Sequence, residues 1–142
     1  MKTAIIYYSY SGKTKKYCEN MAAELSADIL EVQTVKRKCF LSNLFTECPK
    51  ALQQQPTDIL PIDLDLSGYE KIILAAPMWA GFPAPPFNNM VAMLPKGKQV
   101  EIYIVSASGE TDPIKKEKVI VLTEETGSKV IKYTDICGAD IK

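Results

Sequence analysis

The sequence predicts an α/β domain built on a parallel sheet with helices on both faces. Three observations carry that prediction. Short apolar runs rich in strand-forming residues alternate five times with segments of helical periodicity or their connections. Glycine, proline and serine punctuate the joins. The length of 142 residues suits one domain, residues 1–142, with its own core.

The elements follow in order. Residues 2–8, Lys-Thr-Ala-Ile-Ile-Tyr-Tyr, read as a buried parallel strand, apolar because helices cover both faces. Ser11-Gly12 breaks it. From Thr14 to Leu25, the positions Tyr17, Cys18, Met21, Ala22 and Leu25 form one helical stripe. Residues 28–34 read as a second strand. Residues 36–61 read as irregular, with Phe40, Leu41, Leu44 and Phe45 suiting a turn or two of amphipathic helix. A tract of this kind often lies beside a site. Lys71 to Ala76 is a third strand ended by Pro77. Pro85-Pro86 opens a helix carrying Phe87, Met90, Val91 and Leu94. Gln99 to Val105 is a fourth strand. Asp112-Pro113 caps a helix that runs to Thr126 and stops at Gly127. The β-branched run Val119 to Leu122 weighs against that helix. Lys129 to Thr134 is a fifth strand. Eight residues follow it, with no fifth helix. One sheet face is therefore expected to be partly bare, covered either by residues 36–61 or by a second subunit.

Composition excludes several functions. Lysine plus arginine equals aspartate plus glutamate at 17 each, which opposes a general nucleic-acid binder. No apolar run approaches the length of a membrane span. The apolar start leads into Ser-Tyr-Ser-Gly rather than a cleavage site, so it reads as a strand and the expected location is cytoplasmic. The cysteines at 18, 39, 48 and 137 form no Cys-x-x-Cys pair. Histidine is absent, which removes imidazole as base, metal ligand or triad member, and no metal site is expected.

The triplet Gly12-Lys13-Thr14 matches the end of the nucleotide-hydrolase phosphate loop. That loop needs a glycine five residues before Gly12, where Tyr7 stands. What remains is Ser9-Tyr10-Ser11-Gly12-Lys13-Thr14 between a strand and a helix. Its hydroxyls, its glycine and the free amides of a helix start suit one terminal phosphate, or an ordinary capped helix. A second loop, Pro77-Met78-Trp79-Ala80-Gly81, holds the chain's one tryptophan. There a flat ring can stack on a planar ligand, or pack on the 36–61 segment. A third loop, Ser106-Ala107-Ser108-Gly109, is small and hydroxylated. Loops at the carboxyl ends of parallel strands form the ligand crevice of such folds.

These residues resemble the flavodoxin family, over roughly residues 2–135. Ser9-x-Ser11-Gly12-x-Thr14 is similar to its phosphate loop. Pro77 to Gly81, followed by Pro83, Pro85-Pro86 and Asn88, resembles the flavin-ring loop of small bacterial flavodoxin-like proteins. The resemblance implies a doubly wound five-stranded parallel sheet of order 2-1-3-4-5, with flavin mononucleotide (FMN) at the switch point. It implies that Ser9, Ser11, Gly12, Lys13 and Thr14 hold the phosphate, with Tyr10 among the cofactor-binding residues of the same loop. Pro77, Met78, Trp79, Ala80 and Gly81 would border the ring, and Ser106, Ser108 and Gly109 would close its other side. No residue is implied in acid–base catalysis, because the flavin carries the redox chemistry. The implied function is electron transfer between redox partner proteins. The alternatives are an FMN-dependent NAD(P)H or quinone reductase, and an interaction module without FMN that forms a homodimer through the open sheet face. The chain departs from the family's pattern in three ways: it is neutral rather than acidic, it lacks a tyrosine in the second ring loop, and it lacks the terminal helix.

Overall fold

The computed structural model describes residues 2–35 and 47–141. The proposed helical turn at Phe40, Leu41, Leu44 and Phe45 lies outside them, as does Cys39. The strands are β1 (Thr3–Tyr7), β2 (Asp28–Glu31), β3 (Lys71–Trp79), β4 (Phe82–Pro83), β5 (Gln99–Ser106) and β6 (Lys129–Cys137). The helices are α1 (Lys13–Leu25), α2 (Cys48–Leu52), α3 (Pro85–Ala92) and α4 (Pro113–Glu124). The sheet runs β2-β1-β3-β5-β6, and all neighbours in that path are parallel. This is the 2-1-3-4-5 order, with one added short strand. β4 folds back on β3 as an antiparallel hairpin, pairing Trp79 with Phe82.

Alternate residues of each strand serve opposite layers. Ala4, Ile6, Ile72, Leu74, Val100, Ile102 and Ile104 form one core with Phe87, Met90 and Val91 of α3 and Val119 of α4. Burying each of the larger side chains contributes about 1.5–3 kcal/mol. Ile5, Tyr7, Ile73 and Ala75 pack instead on Cys18, Met21 and Ala22 of α1. Among the described residues, no helix is long and apolar enough to cross a membrane.

Several boundaries differ from the sequence reading. Pro77 does not end β3. It pairs with Val105 of β5, and its carbonyl accepts from the Ala84 amide at 2.9 Å. On the other side β1 has already ended, since its last pair is Tyr7 with Ala75, so the missing proline amide is not needed there. β2 stops at Glu31 instead of residue 34, and Thr34 forms an isolated bridge to Ile59. β6 runs three residues past Thr134 because β5 offers partners as far as Ser106. α4 forms despite its β-branched run. Asp112 accepts from the amides of Ile114 and Lys115, and buried Val119 anchors the helix to the sheet.

Residues 47–64 do not cover the open face. Ile59, Ile62 and Leu64 pack on the α3 side of the sheet. Asn89 clamps Thr57 through both its amide and its carbonyl (3.0 and 2.8 Å), and Asn88 donates to the Gln55 carbonyl.

On the α1 side, beyond that helix, a cleft of about 550 Å³ lies over β5 and β6. Its floor carries charged groups. Lys71 and Glu101 are 3.0 Å apart, the Tyr103 hydroxyl donates to Glu101 at 2.7 Å, and Lys132 lies 5.8 Å over the Tyr103 ring. Burial raises the Glu101 pKa, but hydrogen bonds from Tyr103 and Lys71 and the nearby lysine charges outweigh it, and the net shift is downward. A carboxylate held low contributes stability above its unfolded pKa of about 4.3, and loses it as pH falls through the folded value. Glu101→Gln should therefore flatten the loss of stability below about pH 4 in urea titrations. An unchanged acid slope would show that Glu101 is not the group responsible.

Candidate functional site

The carboxyl ends of β1, β3, β5 and β6 converge on one edge of the sheet, where an open parallel sheet places its ligand crevice. Two of the connecting loops are built alike. After β1, the Gly12 amide donates to Ser9 Oγ at 3.1 Å, and Gly12 has φ 97°. After β5, the Gly109 amide donates to Ser106 Oγ at 2.9 Å, and Gly109 has φ 74°. Both loops read Ser-x-Ser-Gly, with the first serine closing the turn and the glycine taking the left-handed conformation. Thr111 tethers the second loop. Its amide and hydroxyl donate to Asp135, and its hydroxyl lies 2.9 Å from that of Tyr133. Burial pushes the Tyr133 phenol up to about 12, with the Asp135 charge adding to the rise and the Thr111 hydrogen bond opposing it.

α1 starts directly from Gly12. No side chain caps it and no acid stands in its first turn, while Lys13, Lys15 and Lys16 do. Its first amides and dipole therefore favour an anion. Thr14 is buried at the head of the helix.

A cavity of about 390 Å³ opens between these loops, within the range of small-molecule sites. Six of the residues singled out by sequence line it: Ser11, Lys13, Thr14, Pro77, Met78 and Ser106. Four other lining residues were missed: Val105, Ala107, Gly138 and Ala139. The last two follow β6, whose end the sequence reading placed three residues too early. A Cβ on Gly138 would stand 3.6 Å from Lys13 Nζ, so the lysine reaches across to that turn.

The remaining eight do not line the cavity. Ser9, Gly12 and Gly109 shape its loops, and the Ser108 hydroxyl turns to the Glu110 carbonyl. Tyr10 borders a separate cavity of about 250 Å³ beside Tyr8 and Glu31. Trp79 is a strand residue rather than a loop residue. Its ring meets Tyr8 and Tyr10 edge-to-face, at 5.9 and 5.7 Å between centroids. Among the described residues, Trp79 packs on those rings and on the core beyond them.

Ala80 and Gly81 form the tip of the β3–β4 hairpin, with φ 53° and 83°. Two positive φ values in a two-residue loop are the pattern of a type I′ turn, which favours Asn-Gly. Alanine there costs about 1–2 kcal/mol. Ala80→Asn should raise stability by about 0.5–1 kcal/mol in urea unfolding. No gain would mean that the tip relaxes in solution.

The sequence matches no protein-family model and no curated protein. Solved structures do match. A flavoprotein in complex with FMN from Lactobacillus acidophilus NCFM superposes with a TM-score of 0.72 at 26% identity, covering 93% of this chain and 91% of that one. The fold is flavodoxin-like. The apo-form of the flavoprotein from the same organism matches the flavodoxin-like chain at 25% identity and TM-score 0.68, covering 98% and 95% of the two chains. Two-electron reduced Megasphaera elsdenii flavodoxin shares the fold at 15% identity and TM-score 0.59, over 96% of this chain and 86% of that one.

Proposed function

We propose that this flavodoxin-like chain binds FMN and carries electrons between redox partner proteins in the cytoplasm. The observation that supports it most is the start of α1: uncapped, free of acids in its first turn, and opening beside Ser11, Lys13 and Thr14 onto the cavity. Those residues fit a terminal phosphate. Pro77, Met78, Trp79, Ala80 and Gly81 on one side, and Ser106, Ser108 and Gly109 on the other, would border the ring, with Ser9, Tyr10 and Gly12 completing the phosphate loop. FMN, when bound, supplies the one- and two-electron chemistry, and the protein supplies binding, orientation and electrostatics.

The test is direct. The purified protein should be yellow, or should quench FMN fluorescence on titration. A colourless protein that leaves FMN fluorescence unchanged would overturn the proposal and favour an interaction module. NADH or NADPH alone should not bleach the bound flavin. Bleaching without a partner reductase would move the reading to a reductase. The charged cleft over β5 and β6 favours a monomer over a homodimer formed through that face, and light scattering that gives a dimer mass would reverse this.

A further inference from the structure

Lys115 carries its charge at the end of a helix that disfavours a cation, offset in part by an aromatic ring. It is the third residue of α4, where the helix dipole is positive and a cation is disfavoured. Its amide donates to the Asp112 cap at 3.2 Å. Its side chain leaves the helix and crosses to the β3–β4 hairpin. There Nζ lies 5.5 Å from the centre of the Phe82 ring. The chain of Lys115 also fills the space beside Gly81. A Cβ on Gly81 would stand 3.0 Å from Lys115 Cδ and would collide with the ammonium. The glycine thus admits the lysine as well as the turn.

Among the described residues, no carboxylate lies within ion-pair distance of Lys115. Asp112 is engaged with the backbone amides of Ile114 and Lys115. The hairpin, Pro77 to Pro83, contains no acidic residue. An ammonium is thus held, partly buried and without a counter-charge, against one of the two loops assigned to the ring, from a helix that begins just after the other. The arrangement lacks an anion.

We propose that Lys115 is a positioned cation that favours fully reduced FMN over oxidised FMN; this rests on the FMN reading above. Reduction by dithionite gives the flavin two electrons, and solvent gives it one proton. The ring then carries a negative charge that the oxidised ring lacks, while dithionite is oxidised to sulfite. A nearby ammonium in a partly desolvated site stabilises only the charged form. Lys115 therefore tunes the potential rather than touching the electrons.

The experiment compares the native chain with Lys115→Met, Lys115→Arg and Lys116→Met. The affinity of oxidised FMN is read by fluorescence, and the two-electron midpoint potential by equilibration with dyes. Lys115→Met should leave oxidised FMN affinity within about threefold and weaken reduced FMN at least tenfold more than it weakens oxidised FMN. That ratio lowers the potential by about 30 mV or more. Lys115→Arg should keep most of the native value. Lys116→Met removes the same charge from a lysine that lies over Tyr133, 5.1 Å from its ring centre, and should shift the potential much less. An unchanged potential in Lys115→Met, or equal shifts in Lys115→Met and Lys116→Met, would overturn the role of Lys115 while leaving FMN binding intact. A native chain that binds no FMN would remove both readings. If Lys115→Met fails to fold, Lys115→Gln with the same readout replaces it.

Discussion

Thr14→Ala should weaken FMN binding at least tenfold, while riboflavin should bind the variant and the native chain alike. Thr14 stands second in α1, buried, with its helix start uncapped and lined by lysines. A hydrogen bond to a charged group contributes about 1.5–3 kcal/mol. Its loss corresponds to roughly 10- to 150-fold in affinity. Riboflavin has the same ring and side chain but no phosphate, so it reports on the rest of the site. Thr14→Ser keeps the hydroxyl and should recover most of the affinity. Fluorescence titration of both ligands with both variants checks the assignment. Equal losses for FMN and riboflavin would mean that Thr14 supports the loop rather than the phosphate. No loss for either would remove α1 from the site.

The layered fold was legible because its signals are local. The runs Ala4-Ile5-Ile6 and Ile72-Ile73-Leu74 are apolar on both faces, and only a doubly covered strand needs that. The stripe on α1 is legible in part for the same reason: Cys18, Met21 and Ala22 are buried, while Tyr17 is half-buried and Leu25 exposed. Errors arose where pairing between distant segments decided the outcome. Pro77 is a strand breaker only if its amide is needed, and that depends on where β1 ends. Trp79 was read as a loop residue because the hairpin partner Phe82 could not be identified from spacing alone. Gly138 and Ala139 were missed because the length of β6 is set by β5. The recurring Ser-x-Ser-Gly was present in the sequence throughout. It became informative only when the sheet order placed residues 9–12 and 106–109 around one cavity.

Those two loops should respond differently to the same substitution, which separates backbone strain from packing. Gly12→Ala places a methyl group in open space, since among the described residues nothing beyond its chain neighbours lies within 4 Å of that position. Its cost is conformational alone, about 1–2 kcal/mol for a left-handed alanine. Gly109→Ala carries the same conformational cost. In addition, its Cβ would stand 3.0 Å from Cys137 Cβ and 3.3 Å from the Cys137 backbone. Forcing a methyl group into filled space typically adds about 1–3 kcal/mol. The expected loss for Gly109→Ala is therefore about 2–5 kcal/mol, roughly twice that of Gly12→Ala or more. Urea midpoints at constant slope measure both. Combining Gly109→Ala with Cys137→Gly removes the closest contact and should recover part of the difference, as a double-mutant cycle shows. Equal losses at Gly12 and Gly109 would mean that β6 yields freely to the loop. The Thr111–Asp135 tether argues otherwise, because it fixes the loop to β6 only two residues from Cys137. The second loop is thus held between its own turn and the last strand.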